Sequence, residues 1–164
     1  MKLYVFVVAL LAGCGGPSRS DAGERPPLAY TVVIDARFTA AETDDIVRGI
    51  DLWCGAVPEL TVRVRTGDRC PDGDHVLCVQ TSSVPSPIVL GHTQRDEAHD
   101  RAMTTLFPVL QQFNRTELTT TAAHELGHAL GLVHTGAGTL MAPSYDEQAH
   151  DVTSADVDQL WSIR

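Results

Sequence analysis

His124-Glu125-Leu126-Gly127-His128-Ala129-Leu130-Gly131-Leu132-Val133-His134 reads H-E-x-x-H-x-x-G-x-x-H, and the rest of the chain can be ordered around it. Residues four apart stack on one helix face, so a helix here lets His124 and His128 offer ring nitrogens to one metal ion. Glu125 lies one step round, near enough to hold a metal-bound water without being a ligand. Gly131 is where the helix can stop, because glycine enters the left-handed conformation without a Cβ penalty. The chain then turns back and His134 arrives from another direction. Three histidines and a water make an open, catalytic zinc site rather than a closed structural one.

A bare H-E-x-x-H also arises by chance in amphipathic helices; the third histidine and the glycine at their required spacings separate this stretch from that background. On these residues the chain resembles the metzincin clan of zinc metallopeptidases. Thr139-Leu140-Met141-Ala142-Pro143 supplies the clan's second signature, a methionine turn, and Leu140-Met141-Ala142-Pro143-Ser144-Tyr145 is most similar to its matrixin version. The resemblance implies a zincin-like α+β fold: a twisted, mixed five-stranded sheet with an antiparallel edge strand, a backing helix, an active-site helix and a C-terminal helix. It further implies one catalytic Zn2+ on His124, His128 and His134, with Glu125 as general base and acid in the hydrolysis of peptide bonds. Met141 would form an apolar floor beneath the histidines without binding the ion. Pro143 and Tyr145 match the family's Pro-x-Tyr, which walls the pocket for the residue after the scissile bond. Thr120 sits where the family varies that pocket's depth, and a small residue there implies a medium or large apolar side chain in the substrate. No Pro-Arg-Cys-Gly-type switch precedes the domain, so latency by a cysteine switch is not expected.

Composition sets the setting. The 164 residues suffice for one domain with a real core. Residues 3–12 are an apolar run behind Lys2, too short for a mature spanning helix and suited to a secretory signal. Leu11-Ala12-Gly13-Cys14 resembles a bacterial lipobox, which would make Cys14 the lipidated first residue; a plain signal peptide or short anchor is the other reading. The expected division is a signal peptide over 1–13, a Gly/Ser/Pro-rich tether over 14–28 and a catalytic domain over 29–164. The protein would then sit on the surface of a bacterial envelope membrane, or be secreted if the lipobox is unused. Without residues 1–13 the chain keeps 11 Arg against 21 Asp and Glu, a net charge of −10, which argues against nucleic acid as a partner. The expected partners are a protein or peptide substrate and the membrane, and the expected state is a monomer.

Cys70 and Cys78 bracket the turn-rich Pro71-Asp72-Gly73-Asp74, and a disulfide across that hairpin is expected in an oxidising compartment. Cys54 is expected as a buried thiol, although a bridge to either other cysteine stays open. Strands are expected at Ala29–Phe38, Leu60–Arg65, His75–Thr81, Ile88–Thr93 (a proline-flanked edge) and Ala102–Phe107. Helices are expected from Thr39, which with Glu42 has a capping-box pattern, to Gly55 or Pro58; over Glu117–Leu130 with Thr116 as cap; and over Asp151–Ile163 with Val157, Leu160, Trp161 and Ile163 buried. The scattered His75, His92 and His99 read better as solvated or satisfied side chains than as a second zinc site. Ca2+ is possible in the acidic loops Asp68–Asp74 and Arg95–Asp100, but neither has EF-hand spacing and the sequence does not support it. A second class of function is a zinc-bearing envelope lipoprotein that binds peptide or cell-wall material without turnover. Glu125 speaks against it, because a pure binder has no use for that carboxylate.

Overall fold

The computed structural model describes residues 25–84, 90–107, 115–143 and 150–164. Five strands form one sheet: β1 (Leu28–Asp35), β2 (Leu60–Gly67), β3 (Val76–Thr81), β4 (Gly91–Asp96) and β5 (Arg101–Leu106), in the order β2-β1-β3-β5-β4. The first four neighbours in that order pair in parallel and β4 alone runs antiparallel, on β5, at the sheet's edge. The helices are α1 (Ala40–Ala56), α2 (Arg115–Ala129) and α3 (Ser154–Ser162). This is the mixed sheet with an antiparallel edge strand that the motif resemblance implies. None of the helices among the described residues is long and apolar enough to cross a membrane.

β1 is buried along most of its length, as a β-branched strand with neighbours on both sides should be. It stops at Asp35, three residues before the expected end. The Asp35 carboxylate accepts the Arg37 backbone N–H at 2.9 Å, and that local turn competes successfully with the strand ladder. Thr39 and Glu42 make the expected capping box: the Thr39 hydroxyl accepts from the Glu42 N–H while the Glu42 carboxylate accepts from the Thr39 N–H at 2.8 Å. Ile46, Ile50 and Trp53 then bury one face of α1.

That face carries α2. The Trp53 indole N–H donates to Ala123 O at 2.8 Å, one residue before His124. Buried Asp45 ties the two helices at their other end, accepting from Arg115 Nε at 3.2 Å and pairing with Arg48, while its carbonyl accepts from the Thr119 hydroxyl. The helix bearing H-E-x-x-H therefore packs beside α1 and against the β4–β5 side of the sheet, held along its length. A buried helix of this kind needs small residues, and Ala122, Ala123 and Ala129 fill that role.

Several expected boundaries are corrected. α2 begins no later than Arg115, so Thr116 lies inside its first turn and is not its cap. His75 has φ 55°, a left-handed turn conformation, and β3 starts only after it. β4 runs on to Asp96 rather than ending at Thr93, because a polar strand is tolerated at an edge. α3 begins at Ser154 with Thr153 as N-cap, in a capping box with Asp156 that the T-x-x-D spacing signals. Leu160 is fully buried, and Val157 and Trp161 pack partly against the core, but Ile163 stands past the helix end and is 48% exposed.

The Cys70–Cys78 disulfide is formed, with Cα atoms 5.8 Å apart. It does not close a hairpin: β2 and β3 flank β1 on opposite sides, so the bridge pins a crossover connection. Cys54 stays outside the disulfide and is half-buried against the core rather than fully buried.

Candidate functional site

α2 ends where the glycine allows it. Gly131 has φ +101°, its N–H donates to His128 O at 2.9 Å, and the Leu132 N–H donates to Gly127 O at 2.9 Å. These are the paired bonds of a Schellman turn, in which a left-handed residue satisfies the helix's last carbonyls. The chain reverses there and brings His134 back over the helix. Nε2 of His128 lies 3.1 Å from Nε2 of His124 and 3.1 Å from Nε2 of His134. His124, His128 and His134 are the group of potential metal ligands found among the described residues, with their ligand atoms within 4.8 Å of one another.

The outer nitrogens fix the tautomers. His124 Nδ1 donates to Leu140 O at 2.7 Å and His128 Nδ1 donates to Leu132 O at 2.9 Å. With the proton on Nδ1, each Nε2 presents a lone pair inward. Lone pairs 3.1 Å apart repel unless a cation sits between them. A tetrahedral ion with Zn–N bonds of about 2.0–2.1 Å would set its ligand nitrogens about 3.3–3.4 Å apart, so the residues present fit zinc with little movement. Burial pushes both His124 and His128 below the ordinary histidine range, against the opposing pull of their carbonyl partners. Both are therefore neutral, as ligands must be, at neutral pH.

Met141 is fully buried against α2. A Cβ on Gly127 would overlap the Met141 sulfur and come within 3.0 Å of Trp53 Cζ2. Glycine at the fourth position of H-E-L-G-H is thus required by the close approach of the methionine turn, a role the motif pattern leaves unstated. The turn is held in place by the Thr135 N–H donating to Met141 O at 2.9 Å, immediately after the third histidine.

Glu125 is only 5% exposed and points toward the edge strand. Its Oε2 accepts from the Thr93 hydroxyl at 2.6 Å. Burial pushes its carboxyl above the ordinary carboxylate range, while the Thr93 hydrogen bond and the neighbouring His128 pull it back. Thr93 has no place in the motif, and only the register of the folded edge strand brings it to this carboxylate. The cleft over these groups has a volume of about 820 Å³ and runs along β4, with Gly91 and Thr93 on one wall and Thr120, Leu140 and Pro143 on another. Thr120 is buried, and its hydroxyl lies 3.2 Å from His150 Nδ1. His150 is a neighbour of this wall that spacing from the motif could not reveal. Tyr145 and Cys14 lie outside the described residues.

His75 and His99 are engaged away from the site, whereas His92 belongs to its cleft. His75 Nδ1 lies 3.2 Å from Asp100 and its ring meets Tyr30 edge-on, His99 Nδ1 lies 3.0 Å from Asp96, and His92 lines the cleft. In the Arg95–Asp100 loop, Asp100 is occupied by Arg95 at 2.6 Å, by Arg164 at 3.0 Å and by the Tyr30 hydroxyl. Burial pushes the Asp100 carboxyl up, but these three donors outweigh it and hold it well below the usual carboxylate range. Burial, followed by the Asp100 contact, raises the Tyr30 hydroxyl to about 12. Arg164 also donates to Leu130 O at 2.8 Å, so this network clamps the end of α2 just before the turn that delivers His134.

The crystal structure of archaemetzincin from Methanopyrus kandleri matches this architecture with a TM-score of 0.56, covering 83% of this chain and 94% of that one at 15% sequence identity. At that identity the likeness shows a shared fold. No relative is found by sequence among curated proteins. A family model described as matrixin matches residues 59–163, a span that includes four of the five strands, the three histidines, the methionine turn and α3. With most of its length matched, and with a metzincin-like zinc-metallopeptidase fold around the histidine cluster, the chain belongs to the matrixin family.

Proposed function

We propose that the protein is a zinc-dependent endopeptidase, with His124, His128 and His134 as metal ligands and Glu125 as general base and acid. The observation that carries this reading is the convergence of three imidazole nitrogens, two with lone pairs fixed inward, beside a buried carboxylate in an open cleft. Zinc held there supplies a Lewis acid that polarises the scissile carbonyl and lowers the pKa of water to around 7. Glu125 takes a proton from the attacking water and returns it to the leaving amine nitrogen. Its raised proton affinity suits both halves of that transfer, since the acid form must persist long enough to be used. The polar edge of β4 offers backbone groups for an extended peptide to pair with, and the Thr120–Pro143 wall flanks the side chain after the cut. Met141 supports the ligands from below. The lipobox-like Leu11-Ala12-Gly13-Cys14 supports anchoring through Cys14 to a bacterial envelope membrane, from which residues 14–28 would extend the domain toward protein substrates.

The test is a mixed peptide library offered to the zinc-loaded protein and to its Glu125→Ala variant. Cutting by the parent alone, with equal zinc in both, supports the peptidase. Equal zinc and no cutting by either would favour a zinc-bearing binder of peptide or cell-wall material.

A further inference from the structure

Where the edge strand faces α2, two threonines form a short hydroxyl chain. Thr93 on β4 and Thr104 on β5 are direct cross-strand partners, with their hydroxyl oxygens 2.7 Å apart. Thr93 Oγ1 lies 2.6 Å from Glu125 Oε2. A hydroxyl has one proton to give; when Thr93 gives its proton to the carboxylate, Thr104 donates to Thr93 in turn. Thr104 is buried, so the chain is anchored in the sheet rather than in solvent. Bonds to a charged acceptor are short and strong, and a second donor behind the first polarises it further.

The opposite side of the same carboxyl group rests on Gly91, which shares Thr93's face of the strand by the two-residue alternation. A Cβ at Gly91 would lie 2.6 Å from both Cγ and Oε1 of Glu125. One residue thus supplies a donor to Oε2 and the other supplies the space that the carboxyl group occupies. A glutamate on an open helix face has three rotatable bonds to lose; here the edge strand removes that freedom.

We infer that Thr93 is a positioning residue for the general base: with Thr104 behind it, it holds Oε2 of Glu125 and so fixes the orientation of the carboxyl group in the cleft. The inference deepens the peptidase reading and rests on it. Thr93→Val keeps the branched shape and removes the hydroxyl, and Thr93→Ser restores the hydroxyl. The valine variant is expected to keep its zinc and a KM within about twofold while kcat falls about 10- to 100-fold, the scale of a misplaced catalytic group. The serine variant should recover most of that loss. Thr104→Val, which leaves Thr93 in place, should lose about two- to fivefold, since it removes only the backing donor. A second readout is independent of turnover. In a crystal of the metal-free Thr93→Val protein, the Glu125 carboxyl group should leave its seat beside Gly91. An unchanged kcat, a rise in KM alone, or a Glu125 that keeps its place in the crystal overturns the inference. If the parent cuts no peptide, the peptidase reading fails on its own, and the crystal decides whether Thr93 holds the carboxylate.

Discussion

Gly127→Ala should destabilise the protein, although alanine is the better helix former. Inside a helix the exchange of glycine for alanine gains about 1 kcal/mol from propensity alone. The added methyl would overlap the Met141 sulfur and approach Trp53 Cζ2 to 3.0 Å, where carbon contacts are comfortable at about 3.5–4.0 Å. Neither neighbour can give way toward solvent, because both are fully buried in the core. Forcing a methyl into a filled core costs about 1–3 kcal/mol, and the overlap here places the cost at the upper end or beyond. The net loss should be about 2 kcal/mol or more, or a Tm lower by roughly 5–10 °C for a domain of this size. Displacing Met141 also moves Leu140, whose carbonyl orients His124, so zinc affinity should fall by about tenfold or more. Thermal unfolding of the metal-free protein and a competitive zinc titration measure the two effects. A variant as stable as the parent, with unaltered zinc affinity, would refute the claim that the methionine turn packs against the helix at this glycine.

Asp100→Asn keeps the left-handed backbone, which asparagine tolerates, and removes the charge shared by Arg95 and Arg164; about 2–3 kcal/mol of stability should be lost in urea unfolding. The sign with pH follows from the depressed carboxyl: the parent's advantage over the variant should hold above about pH 4 and disappear as the pH falls through the acid range. Replacing both Cys70 and Cys78 with alanine should cost about 2–3 kcal/mol, the loop-closure estimate for so short a bridge, measured by the same unfolding assay. For the lowered histidines, the unfolded chain takes up protons first, so the metal-free protein should lose stability as pH drops below about 6.5. The raised Glu125 acts in the opposite sense, so that Tm-against-pH series is best run in the Glu125→Gln background.

The motif region was legible because its spacing carries its geometry. Two histidines stand four positions apart on one helix, a left-handed glycine ends that helix, and a methionine turn follows; each of these maps onto one structural fact. Strand and helix types were legible from periodicity, and the Thr39–Glu42 capping box from its own pattern. What sequence could not supply is whatever depends on register between distant strands. The Thr93–Glu125 contact exists only because β4 pairs antiparallel with β5 and lies beside α2. The crossover nature of the disulfide likewise follows from β1 lying between β2 and β3, an arrangement that the turn-rich Pro71–Asp74 segment does not encode. Ile163 looked buried by its helical spacing, yet the helix ends one residue before it. The Tyr30–Asp100–Arg164 clamp joins residues 70 and 134 positions apart and has no local signature.

The most direct test of the account is chelation followed by zinc titration of peptide cleavage, with anomalous diffraction from the reconstituted crystal. Cutting should be lost on chelation and return in proportion to zinc up to one equivalent, with a single anomalous peak about 2.0–2.1 Å from Nε2 of His124, His128 and His134. Cutting that survives chelation, or one equivalent of zinc bound at those nitrogens with no cutting, would contradict the account.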